Sequence, residues 1–289
     1  FAAILWATGA FDSFTAPAAT DTPVPPPVSA IPTLQPTTPP PTQNPDGETI
    51  YCYYPDQPES GFFYGIQSHA FTGDNDFWMG VVNNLHLNWV KVQLRWEDLE
   101  RKEGKVDWDQ LNPVINQPCR HGLKLLVSIV GSPQWAVANP RGQTAPPDDP
   151  AKFVSFVTRL IEQFPGRISA IEVWNEQNLE REWDTETGVK PEDYLTMLQQ
   201  SYAAIKALDP NILVISGALS PTGINCTTSW PNCAPGPRIA VMDDATYLKR
   251  FVELGGLNYA DCVGTHSNGT NLPPEADGAN PPPPAGYTF

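Results

Sequence analysis

Ile168-Ser169-Ala170-Ile171-Glu172-Val173-Trp174-Asn175-Glu176-Gln177-Asn178-Leu179 is the stretch from which the rest of the chain can be ordered. Its first half is apolar and β-branched at Ile168, Ile171 and Val173, which reads as a short buried strand. Its second half is polar and carries Asn175 and Glu176. A carboxylate at the end of an apolar strand stands where barrels and open α/β sheets keep their ligand sites. Glu172, Trp174 and Glu176 alternate, so unbroken pleating predicts all three on the interior face. Glu172 then lies deeper, as a structural partner for a buried Arg or amide. Glu176 lies at the mouth, where a raised pKa would let it donate a proton; the alternative is a strand-end Glu that only pairs with a neighbouring Arg.

Working outward, apolar runs alternate with amphipathic segments, the pattern of βα units in a parallel sheet. Before the organising strand, strands are expected at Gly61 to Gln67, Trp89 to Arg95 and Leu123 to Val130. Helices are expected around Asn75 to Leu85 and, in part, over Trp108 to Arg120. The helix from Ala151 to Phe164 has Asp149 as its cap, Pro150 at its first position, and Phe153, Val157, Leu160, Ile161 and Phe164 on one face. After the organising strand, a helix begins at Pro191 and stops at Asp209-Pro210. A strand follows at Ile212 to Ser216, then a helix from Asp244 to Leu254 and a sixth strand at Cys262 to His266. Six βα units are legible, whereas a full (β/α)8 barrel takes eight in about 250 residues. The expectation is an α/β (β/α)8 barrel in a record truncated at its C-terminal side.

Residues 1–14 begin without Met and read as an apolar remnant, the tail of a signal peptide or membrane anchor, too short to span a bilayer. Residues 15–50 are dominated by Pro and Thr, as in Pro23-Val24-Pro25-Pro26-Pro27, and read as a semi-rigid linker. Residues 51–289 are the folded part. A net charge of -15 and a pI near 4.5 argue against nucleic acid as a partner, because phosphate binding is driven by Lys and Arg. Among the five cysteines no C-x-x-C pair suggests zinc or redox chemistry. Cys226 and Cys233 are close enough in sequence to close a small disulfide loop, an even choice in an exported protein. Cys262 reads as a small buried hydrophobe.

The Trp174-Asn175-Glu176 strand end resembles that of the clan A retaining glycoside hydrolases, cellulase-like and xylosidase-like barrels of the family 5 or 39 kind. Leu94-Arg95-Trp96-Glu97-Asp98 is similar to the segment after the clan's second strand, and Ser132-Pro133-Gln134-Trp135 to its Thr-Pro-x-Trp. His266, in Thr265-His266-Ser267, matches a clan histidine, although Ser267 stands where an aromatic is frequent. The resemblance spans about Gly61 to Asn271.

This resemblance implies a glycosidase of retaining double-displacement mechanism acting on a β-linked oligo- or polysaccharide, with Glu176 as general acid/base and Asn175 on the sugar 2-hydroxyl. Arg95 would restrain the catalytic carboxylates, or else pair with Glu97 or Asp98 at the rim. Trp135 would wall the sugar site, or else pack in the core. His266 would contact substrate or support the nucleophile, or else be a satisfied strand-end histidine; His69 would line the floor. The nucleophile, a Glu on the clan's seventh strand about 5 to 5.5 Å from the acid/base, is expected beyond Phe289, which would leave this stretch inactive by itself. No metal and no cofactor is implied. An extracellular or cell-surface location is expected, with the N-terminal segment as a possible tether. The competing reading is a catalytically silent carbohydrate-binding barrel.

Overall fold

The computed structural model describes residues 2–5, 42–43, 49–50, 52, 63–69, 73–138, 140, 144–227 and 238–267. Six parallel strands form its centre: β1 (Gly65–Ser68), β2 (Trp89–Arg95), β3 (Lys124–Val130), β4 (Ala170–Val173), β5 (Leu213–Leu219) and β6 (Cys262–His266). Each pairs with its predecessor in chain order. Five helices make the crossovers: α1 (Asn75–Asn84), α2 (Trp108–Arg120), α3 (Pro150–Gln163), α4 (Pro191–Leu208) and α5 (Asp244–Glu253). Sequential parallel strands with a helix in every crossover make a partial (β/α)8 barrel. Backbone from Ala2–Leu5 adds an antiparallel strand beside β6. Thr42–Gln43 pairs with Thr49–Ile50. No described helix is long and apolar enough to cross a membrane.

The elements start where side-chain chemistry starts them. Asp74, Asp107, Asp149 and Asp243 each accept a hydrogen bond from a backbone N–H of the first turn that follows. Pro150 and Pro191 sit at the first positions of α3 and α4, where no N–H is needed. α2 is helical throughout, including Pro113 and Pro118, rather than in part. The first strand begins at Gly65; Gly61 lies outside the described residues, as do Asn271 and Cys233.

The inner strands β2 to β5 are buried on both faces and so lack alternation in hydrophobicity, whereas β1 at the edge is largely exposed. Val90, Val92, Leu94, Leu125, Val127, Ile129, Ile171 and Val173 point to the helices. Trp89, Leu126, Ala170, Ile215 and Cys262 fill the inside. A file of edge-on and stacked rings crosses the outer layer: Phe156 to Trp96 at 5.6 Å, Trp96 to Phe153 at 5.9 Å, Phe153 to Trp174 at 6.0 Å, Trp174 to Trp183 at 5.5 Å and Trp183 to Tyr194 at 5.7 Å. These aromatics are core.

That file corrects the expected pleat. β4 ends at Val173, and Trp174 takes a left-handed φ of 74°. The alternation stops there, so Trp174 turns into the helix layer and its indole N–H donates to the Glu182 carbonyl at 2.7 Å. Glu172 does face inward. Its partner is Lys91, with Nζ at 2.5 Å from Oε2, and its Oε1 accepts from the Ala218 N–H at 3.2 Å.

Two ties hold the periphery. Cys52 and Cys119 form a disulfide across 67 residues, joining the stretch after the linker to the end of α2, a pairing the spacing of the cysteines did not suggest. Cys226 is also disulfide-bonded, and Cys262 is a buried thiol whose pKa burial pushes up to about 11. The second tie is Glu100, which is fully buried. Its carboxylate accepts from Trp96 Nε1 at 2.7 Å, from the Gly104 N–H at 2.7 Å, and from Arg159 Nη2 at 2.7 and 2.8 Å. A buried carboxylate stripped of its cation costs far more than an exposed one. Arg159→Ala in the full-length protein should lower the unfolding free energy by on the order of 3 kcal/mol in urea titrations. A loss within experimental error would show that Glu100 does not depend on Arg159.

Candidate active site

Glu176 stands just past the C-terminal end of β4, and its placement is built by the end of β5. The Glu176 N–H donates to the Ala218 carbonyl at 2.8 Å, and Gln177 Nε2 donates to the Gly217 carbonyl at 2.8 Å. Asn178 closes the pair: its Nδ2 donates to Ser220 O at 2.8 Å and its Oδ1 accepts from the Ser220 N–H at 2.9 Å. Tyr194 of α4 bridges the two strand ends from behind, donating to Val173 O at 2.9 Å and accepting from the Gly217 N–H at 2.7 Å. Burial pushes the Tyr194 phenol far up, so it stays neutral and keeps both bonds. A side chain at position 217 would collide with Gln177 Oε1 and stand 2.9 Å from Val173 O, so the close approach requires glycine. Glu176 itself has φ 46°, a second left-handed residue two positions after Trp174. Such residues cost on the order of 1–3 kcal/mol each and cluster where a side chain must be aimed.

The Glu176 carboxylate is buried and engaged at both oxygens. Oε1 is 2.9 Å from His266 Nδ1 at the end of β6, and Oε2 pairs with Arg181 Nη2. Burial pushes its pKa up, but hydrogen bonds from His266 and Arg181 and their charges outweigh it, and the net position is below the usual carboxylate range. This corrects the expected raised pKa: the sequence shows a strand-end carboxylate but not the cation that its own loop supplies five residues later. Glu182, half-buried in the same loop, goes the other way. Burial and the Glu176 charge raise its pKa against the lowering influence of Arg181 and Arg95.

The other expected site residues are distributed as follows. Asn175 is buried beside Glu176. Arg95, at the end of β2, pairs with Glu97, with Nε at 2.7 Å from Oε1, and its Nη2 donates to Thr144 Oγ1 at 3.2 Å. Thr144 in turn donates its N–H to the Arg181 carbonyl at 3.3 Å, which links the β2 rim to the Glu176 loop. His69 is exposed after β1. Trp135 is half-buried, packs edge-on to Trp96 at 5.4 Å and donates its indole N–H to Glu100 O at 2.7 Å. Glu176 and His266 are thus in contact, Arg95 reaches their rim through Thr144, and Trp135 is turned to the Trp96 side. Arg181, Glu182 and Tyr194 carry the geometry without having been singled out. Arg181 and Glu182 sit in a charged loop with no periodicity, and Tyr194 lies inside a helix of which the sequence marks only the two ends. Among the described residues no group of three or more His, Cys, Asp or Glu is arranged to hold a metal ion.

A strand-end carboxylate on six sequential parallel strands can be compared with known folds. The chain superposes on a family 39 glycoside hydrolase from the gut symbiont Bacteroides cellulosilyticus WH2 with a TM-score of 0.50 and 17% identity. At that identity the likeness is one of fold, a partial (β/α)8 barrel. That superposition covers 69% of this chain and 36% of the other, so the chain spans little more than a third of the glycoside hydrolase it matches. The exo-beta-1,4-mannosidase Op5Man5 from Opitutaceae bacterium strain TAV5 matches with a TM-score of 0.43 and 17% identity, over 61% of this chain and 33% of that one. A GH39 beta-xylosidase from Caulobacter crescentus matches with a TM-score of 0.44 and 18% identity, over 52% and 39%. No family model and no curated protein matches the sequence.

If Gly217 is what lets the Glu176 loop close on β5, Gly217→Ala should destabilise the protein by about 1–3 kcal/mol and break the Glu176–His266 contact. A crystal structure of the variant with that contact intact, together with unchanged stability, would refute the dependence.

Proposed function

We propose that this chain carries the acid/base half of a retaining glycosidase acting on O-glycosidic bonds of a β-linked oligo- or polysaccharide. The observation that carries the reading is the buried Glu176 carboxyl at the C-terminal mouth of the strands, set by strained backbone and braced by His266. Glu176 protonates the glycosidic oxygen as a carboxylate nucleophile attacks the anomeric carbon, then takes a proton from the water that opens the glycosyl-enzyme. Asn175 binds the sugar 2-hydroxyl, Arg95 serves the substrate rim and His69 the floor of the site. His266 acts on Glu176 rather than on the nucleophile. Trp135, with its indole nitrogen committed to Glu100, supports the rim by packing ahead of stacking on a sugar. The nucleophile comes from a strand outside these 289 residues, which supports an inactive state for this stretch alone. Two carboxylates suffice, and no cofactor enters.

The charge of -15 disfavours nucleic acid, and the disulfides at Cys52, Cys119 and Cys226 support an exported, extracellular or cell-surface protein. Residues 1–14 as a signal or tether and residues 15–50 as a spacer fit that setting. A second reading, a silent carbohydrate-binding barrel, is favoured by the engagement of both Glu176 oxygens. A strand following Phe289 that ends in Glu separates the two.

In the full-length protein, Glu176→Gln should lower kcat about 10²–10⁴-fold on glycosides with poor leaving groups and far less on activated aryl β-glycosides. Equal losses on both, or none, would remove Glu176 from the acid role.

A further inference from the structure

A general acid must present one oxygen to the departing glycosidic oxygen, yet Glu176 has neither oxygen vacant. The two partners differ in how firmly they are held. The His266 side chain is 14% exposed and stands on β6, while the Arg181 side chain is 63% exposed and stands on the loop. A largely exposed guanidinium is held by few contacts of its own and can swing into solvent, so it yields its place to a competing polar group more readily than an enclosed partner does. A half-buried imidazole anchored by its strand does not yield in this way. The charged groups around the pair are Arg181 and Glu182 from the loop itself, His266 from β6, and Arg95 and Glu97 from the end of β2, which act on Glu182.

We propose that Arg181 is a displaceable positioning residue: its guanidinium covers Oε2 of Glu176 in the unliganded protein and yields that place to the glycosidic oxygen of a bound glycan. The inference rests on the acid/base reading of Glu176 given above and assigns the two oxygens. Oε1 stays on His266 throughout, and Oε2 is the reacting atom. With Arg181 in place the carboxyl favours its ionised form. With Arg181 displaced, a proton taken up from solvent on Oε2 passes to the glycosidic oxygen as the anomeric C–O bond breaks. Water later returns a proton to the same oxygen while its hydroxyl joins the sugar, and that proton passes to solvent as Arg181 covers Oε2 again, so the carboxyl ends as it began. The Arg181 backbone stays fixed through its carbonyl bond to Thr144, so only the side chain has to move.

The test is the pH dependence of kcat/KM in the full-length protein, on a glycoside with a poor leaving group, for wild type, Arg181→Gln and Arg181→Lys. kcat/KM reports the free enzyme, in which Arg181 still covers Glu176. Removing the cation raises the Glu176 pKa, and an acid works only while protonated. The alkaline limb should therefore move to higher pH by about one unit in Arg181→Gln and stay near wild type in Arg181→Lys, which keeps the charge. The Glu176 carboxyl pKa, followed by carbon-13 NMR, should move in parallel. A limb and a carboxyl resonance unmoved in Arg181→Gln overturn the proposal, provided Glu176→Gln is inactive on the same substrate. A Glu176→Gln protein with wild-type activity overturns the acid/base reading and this inference with it.

Discussion

Everything at the mouth of this half-barrel depends on how the ends of β4 and β5 are locked together. The Tyr194 hydroxyl lies between the Val173 carbonyl and the Gly217 N–H and satisfies both where no solvent reaches. Buried backbone groups left unpaired cost about 1–3 kcal/mol each, so this one phenol fixes two strand ends against each other. The loop that follows then pairs with β5 through Gln177 and Asn178 as if the strand continued, although its backbone has turned left-handed at Trp174 and Glu176. The strain of those two residues is sustained by the bonds around them. Its result is that Trp174 goes into the helix layer and Glu176 toward His266.

Electrostatics then sort the carboxylates of the rim. Glu172 is neutralised by Lys91 in the interior, and Glu100 by Arg159 under the β2 rim, so neither has spare capacity for chemistry. Glu176 is the buried carboxylate at the strand ends whose cation partner is largely exposed. Burial alone would favour its protonated form, and Arg181 and His266 reverse that preference. The resting charge of Glu176 is thus set by one largely exposed side chain and one half-buried ring.

Much of the architecture was legible in the sequence because parallel strands buried on both faces announce themselves as apolar runs. The Asp and Pro residues before α3 mark its start chemically. Glu176 and His266 were legible as the ends of the fourth and sixth strands, but His266 read as a contact for substrate or nucleophile, and its direct contact with Glu176 was not foreseen. The direction of Trp174 was not legible: simple alternation assumes extended backbone, and a positive φ in a bulky residue leaves no compositional trace. Arg181 was missed because a loop cation close in sequence to a carboxylate looks like any solvated charge. The Cys52–Cys119 pairing was hidden for a related reason, since a bridge across 67 residues is a property of the folded chain and not of spacing. Trp135 shows the limit of motif reasoning: the residue sits after its strand as expected, but its indole nitrogen is spent on Glu100.

The most direct test of the account is chemical rescue. In the full-length protein, Glu176→Ala should form its glycosyl-enzyme from an activated aryl β-glycoside and then stall, because no base remains to activate water. Added azide, a nucleophile that needs no base, should restore turnover and release a β-glycosyl azide. Turnover unaffected by azide, or a product of inverted configuration, would contradict the assignment of Glu176 as the acid/base of a retaining enzyme.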